Sequence, residues 1–136
     1  MLRAIAAAAL LSAAAAAQAC GYCVEDKIAS TYDHALVTQA LAQKHHVAFF
    51  HIDGPELPGV GTKRWLESIA ASATGVDKGS ARVAVDTLTI SVAFDPQRTS
   101  LIAVQGALEK MLAAKKLSLM PLRVIDAPAE LKTVRR

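Results

Sequence analysis

The chain has 136 residues, 53% of them hydrophobic and 4% aromatic, with a formal net charge of +3. That length suits one domain with a modest core and is too short for two. Lys and Arg are dispersed apart from Lys115-Lys116 and Arg135-Arg136, with no basic stripe interleaved with aromatics, so a nucleic-acid partner is not indicated.

The first element is an export signal. Arg3 gives a short positive start, Ala4 to Ala17 form an apolar run broken only by Ser12, and Ala17-Gln18-Ala19 supplies the small-x-small pattern of a cleavage site. Residues 1–19 are therefore expected to be a signal peptide, which makes the protein periplasmic or secreted. The run is shorter than the roughly 20 apolar residues a bilayer span needs, and nothing after it resembles a membrane helix. Cleavage after Ala19 would leave Cys20 as the first residue. A lipid anchor on Cys20 is the less favoured outcome, because Ala17 and Gln18 stand where lipoprotein sites usually carry a Leu-led motif.

Cys20 and Cys23, in Cys20-Gly21-Tyr22-Cys23, are the two cysteines of the chain. One pair cannot staple a fold, so stability must come from ordinary packing. In an oxidising compartment a C-x-x-C pair can serve as a metal clip, a redox couple or an inert local disulfide.

From Val24 to about Lys44 the spacing of Val24, Ile28, Tyr32, Ala35, Leu36 and Ala40 predicts one amphipathic helix, with Glu25 and Asp26 in its first turn. Residues 20–46 are thus expected to be a helix bearing the cysteine pair. Val47 to Asp53 reads as a strand closed by Gly54-Pro55, and Gly54 to Gly61 as a loop. Thr62 is placed to cap a helix over Lys63 to Thr74, with Gly75 ending it. Arg82 to Asp86 and Leu88 to Phe94 form a hairpin turning at Asp86-Thr87, the second strand giving the cleanest period-two pattern. Thr99 or Ser100 caps a helix reaching about Lys115, a strand follows near Leu119 to Ile125, and the remainder from Asp126 reads as a tail.

The order over residues 47–126 is β-α-β-β-α-β, an α+β ferredoxin-like core preceded by an extra N-terminal helix and followed by the tail, residues 127–136. Three stretches, WLESIAASATGV from Trp65, ARVAVDTLTISVAFDP from Ala81 and TSLIAVQGALEKM from Thr99, resemble the heavy-metal-associated domains of copper chaperones and metal-transporting ATPases. That resemblance implies metal binding and a metal-transfer protein as partner. The family carries its two metal-binding cysteines in the loop after its first strand. Here Gly54-Pro55-Glu56-Leu57-Pro58-Gly59-Val60-Gly61 holds no cysteine, histidine or methionine. The family's site cannot be carried over, and the thiols must come from Cys20 and Cys23.

A second resemblance is to thioredoxin-like proteins, in which a C-x-x-C opens a helix. Their strand before the cysteines and their proline before the hairpin have no counterpart here.

Two thiolates at this spacing suit Cu(I), which accepts two-coordination, whereas Zn(II) would need two further ligands. On one unbroken helix His34 would lie about 16 Å beyond Cys23, and His45 and His46 at its far end about 30 Å away. None of these can join the cysteines within one chain unless the helix is broken, though His51, whose strand position reads as packed, or a second molecule could. Met111, Met120 and Trp65 read as core residues. No Ser-His-Asp order, carboxylate pair or phosphate loop supports an enzyme. The expected function is soft-metal binding or a chaperone-like transfer, Cu(I) first, by Cys20 and Cys23. The alternatives are a thiol-disulfide redox protein, or a partner-binding module with a structural disulfide.

Overall fold

A computed structural model describes residues 23–55 and 61–127. In chain order these form helices α1 (Val24–Thr31) and α2 (His34–Ala42), strand β1 (His46–Asp53) and helix α3 (Thr62–Ser72). Strands β2 (Arg82–Ala84) and β3 (Thr89–Phe94), helix α4 (Leu101–Leu112), a 3-10 turn (Ala113–Lys115) and strand β4 (Ser118–Ile125) follow.

The strands lie in the order β2-β3-β1-β4. Each adjacent pair is antiparallel. With α3 and α4 linking the strands, this is the ferredoxin-like topology expected from the sequence, an α+β fold. A thioredoxin-like sheet would contain an adjacent parallel pair, and the pairs here are all antiparallel.

The segment ahead of the core departs from expectation. One helix was expected from Val24 to Lys44, and the chain instead breaks at Tyr32 and Asp33. Tyr32 is extended, at φ −69° and ψ 121°. The Asp33 carboxylate accepts the Leu36 N–H at 3.1 Å and so starts a second helix. An aspartate offers the backbone this local bond in competition with continued helix, and Arg82 fixes the break by donating to Asp33 Oδ2 at 3.2 Å. Helix α2 then ends on Lys44 in the left-handed region, φ 60°, where His45 N–H reaches back to the Ala40 carbonyl at 2.8 Å.

Packing explains why both helices stay on the sheet. Strand β1 is buried on both faces: Ala48, Phe50 and Ile52 join α3 and α4 in one core cluster. Val47 and Phe49 join Ile28, Val37, Ala40 and Ala93 in another. The molecule therefore has three layers, α1/α2, sheet and α3/α4. A strand buried on both sides reads as a continuous apolar run, and VAFF at Val47 to Phe50 is one.

The turn between β2 and β3 is longer than expected, spanning residues 85–88 between Ala84 and Thr89. Leu88 N–H bonds the Val85 carbonyl at 3.2 Å, and Leu88 itself sits at φ 49°, so it closes the turn instead of starting the strand. Gly54, at φ 148°, admits no side chain: a Cβ there would meet Leu117 Cδ2 at 2.6 Å and the Lys116 carbonyl at 2.9 Å. That contact brings the end of β1 hard against the start of β4.

Two smaller corrections concern caps and core. Gly61, not Thr62, is the N-cap of α3, and the helix stops at Ser72, before Gly75. Ser100 does cap α4, accepting from Ala103 N–H at 3.1 Å. Met111 and Trp65 pack against the core as expected, but Met120 is 52% exposed.

Under α1, the Thr31 hydroxyl is buried with no hydrogen-bond partner among the described residues. Such a group loses its bonds to water without replacement. Thr31→Val, which keeps the shape and removes the orphan, is expected to leave stability unchanged or raise it by about 1 kcal/mol. Urea unfolding checks this, and a clear loss of stability would show that the hydroxyl has a partner in solution.

Candidate metal centre

Cys23 is the N-cap residue of α1. Its side chain is exposed and its thiol free, and Sγ donates to Asp26 Oδ2 at 3.1 Å. Cys20, the expected second ligand, lies outside the described residues, as do the expected signal peptide, most of the loop after β1 and the end of the tail.

Helix α1 crosses the sheet from the β4 edge toward β2, and a chain of contacts records its path. Glu25 forms a bidentate ion pair with Arg123 of β4. Lys27 Nζ lies 3.1 Å from His51 Nδ1 on β1. The Ser91 hydroxyl on β3 donates to the Thr31 carbonyl at 3.4 Å, and Ser30 and Thr87 share a hydroxyl–hydroxyl bond of 2.7 Å at the hairpin. Cys23 therefore stands at the end of α1 over the β4 edge, one turn before Lys27. The Arg123 guanidinium bonding Glu25 holds that carboxyl below its ordinary pKa, and Glu25 in turn raises Arg123. At the other end, the Leu36 N–H and then Arg82 lower the carboxyl of Asp33.

The histidines are distributed elsewhere. His45 Nδ1 bonds Asp77 at 2.6 Å, and its Nε2 faces Asp95 at 3.7 Å. It ties the start of β1 to the segments flanking the β2–β3 hairpin. His46 packs edge-on against Phe94, with ring centroids 5.6 Å apart, and the exposed His34 lies by Tyr32. The long-helix distances no longer apply once the helix breaks, yet none of these three joins Cys23. His51, half-buried under α1, also has Nδ1 3.1 Å from the Leu88 carbonyl. A protonated Nδ1 donates to Leu88, and a bare one accepts from Lys27.

Among the described residues no three His, Cys, Asp or Glu side chains come together as a metal site. A cleft of about 470 Å³ opens beside α2, but Asp33, Arg82, His45 and Asp77 along its walls already pair with one another. Sequence reasoning missed Glu25, Lys27 and Arg123 as neighbours of the thiol. Arg123 is 98 residues from Glu25, and no local spacing could have joined them.

Neither a family model nor a curated protein matches the sequence. Solved structures do match. The copper binding domain from HMA7, a P-type ATPase, is 18% identical over 58% of this chain and 96% of that one, with a TM-score of 0.46. Oxidized MerP from Ralstonia metallidurans CH34 is 16% identical over 58% and 99%, at 0.45. The N-terminal domain of a potential copper-translocating P-type ATPase from Bacillus subtilis, in the Cu(I)-loaded state, is 20% identical over 61% and 94%, at 0.45.

The fold itself rests on the strand order and antiparallel pairings. No described helix is long and apolar enough to cross a membrane.

Proposed function

We propose that this chain binds a soft metal ion, Cu(I) first, through Cys20 and Cys23, and passes it to a metal-transfer partner in the periplasm or outside the cell. The observation that carries the reading is the exposed thiol of Cys23 at the start of α1, set against a ferredoxin-like core whose own β1–α3 loop holds no soft donor. Thiolate sulfur prefers Cu(I) among the biological metals, and a thiol at a helix N-terminus has its anion favoured by the helix dipole. Exposure suits transfer as well as capture, since an incoming thiolate can reach the ion without the fold opening. The export signal read from residues 1–19 supplies the compartment.

The test is competition for Cu(I) against a chromophoric Cu(I) chelator, anaerobically and with a reductant that is not a thiol. One tightly held Cu(I) per chain is the expected result. A chain that leaves all the copper on the chelator would refute metal binding and favour a thiol-disulfide role for the same pair.

A further inference from the structure

Helix α1 is attached to the sheet in a different way from α2. Of its side chains, Ile28 and Thr31 are buried, and the Thr31 hydroxyl is left without a hydrogen-bond partner among the described residues. The other ties are polar. Glu25 and Arg123 form an ion pair between exposed side chains, the kind that adds little in water. Lys27 meets His51, and Ser30 meets Thr87. Helix α2 is held along its whole length instead. Arg82 grips its N-cap Asp33, Val37 and Ala40 are buried, and His45, just past its end, pairs with Asp77. Between the two helices Tyr32 and Asp33 are both extended, and Tyr32 is exposed. Few buried apolar contacts and a short extended link mark a segment that opens locally while its surroundings hold.

We propose that α1 is a strap that swings off the sheet about Tyr32 and Asp33 while α2 and the core stay in place. The surface it covers is partly polar, so lifting it is cheaper than uncovering an apolar face. Ser91 is 2% exposed and donates to the Thr31 carbonyl at 3.4 Å, and water can replace that long bond. The orphaned Thr31 hydroxyl gains a partner when the strap lifts, which favours opening. Cys23 is the N-cap of α1, so its thiol travels with the strap. The closed position, fastened by Glu25 to Arg123, is one of two in which that thiol is presented. This opening is smaller than a loosening of the whole α1/α2 layer, and it stands independently of the metal-binding reading.

Alkylation of buried thiols by iodoacetamide reads the opening in the full chain. With Cys20 and Cys23 replaced by Ser, Ser91→Cys puts a thiol beneath α1. Val92→Cys puts one on the opposite sheet face, in the core with α3 and α4. The Ser91→Cys thiol is expected to react roughly tenfold faster or more, because local opening is more frequent than global unfolding. Adding Thr31→Val should slow it and adding Arg123→Gln should speed it, with the Val92→Cys rate unmoved by Thr31→Val. Hydrogen exchange on the parent chain needs no new thiol and should show the α1 amides exchanging ahead of those of α2. Equal alkylation of the two thiols, or α1 amides protected as well as those of α2, would overturn the strap. Fast alkylation of Ser91→Cys that neither Thr31→Val nor Arg123→Gln changes would overturn the swing of α1 as its cause.

Discussion

Phe49→Ala is expected to destabilise the protein by about 3–5 kcal/mol, the usual cost of emptying a buried aromatic position. A domain of this size has only about 5–15 kcal/mol in total, so a large share would be lost. Phe49 is 1% exposed and belongs to the smaller of the two clusters, with Ile28, Val37, Ala40, Val47 and Ala93. It is the one aromatic ring among the described residues of that cluster, and removing it should loosen α1 and α2 before the rest. Phe50, its neighbour on the opposite sheet face, belongs to the larger cluster under α3 and α4. Hydrogen exchange separates the two: Phe49→Ala should speed exchange in α1 and α2 first, whereas Phe50→Ala should affect the whole core. Equal loosening everywhere would mean that the α1/α2 layer does not open as a unit.

Cys23→Ser is expected to abolish one-to-one Cu(I) binding while leaving the unfolding midpoint close to that of the parent. The side chain is exposed and makes no cap bond to the helix backbone, and serine is itself a favoured N-cap residue. Loss of function without loss of fold is the signature of a ligand, since a hydroxyl oxygen is a poor donor for Cu(I). Cys20→Ser should behave the same way in metal binding. A variant that loses copper only because it unfolds would show a lowered midpoint, which denaturant titration detects.

Most of the fold was legible because its signals are local. The apolar run at Val47 marked a strand. The alternation of Ile90, Val92 and Phe94 with Thr89, Ser91 and Ala93 marked its neighbour, and Ser100 marked a helix start. The third layer was not legible. Thr89, Ser91 and Ala93 look like a solvent face, yet all three are buried under the N-terminal helices, with Thr89 and Ser91 satisfied by the carbonyls of Thr87 and Thr31. Period-two alternation tells the two faces of a strand apart, but it cannot reveal that a distant helix covers the more polar one. The break at Asp33 was hidden for a related reason, because its apolar neighbours on both sides keep helical spacing across the gap.

The candidate site was half legible. The cysteine pair and the empty loop after β1 stand in the sequence, and so does the softness of the ion they would choose. That the start of α1 is fastened over β4 by Glu25 and Arg123 depends on pairing across 98 residues. Met120 also shows the limit of composition: methionine in a strand reads as core, yet this one, on the edge strand β4, is exposed.

The measurement that bears most directly on the central claim is native mass spectrometry of the exported chain, purified under reducing conditions with and without added Cu(I). The account predicts a mass beginning at Cys20 that gains a single copper ion, and no gain in Cys23→Ser. A chain that stays copper-free after reduction, or that takes copper equally well without Cys23, would contradict it.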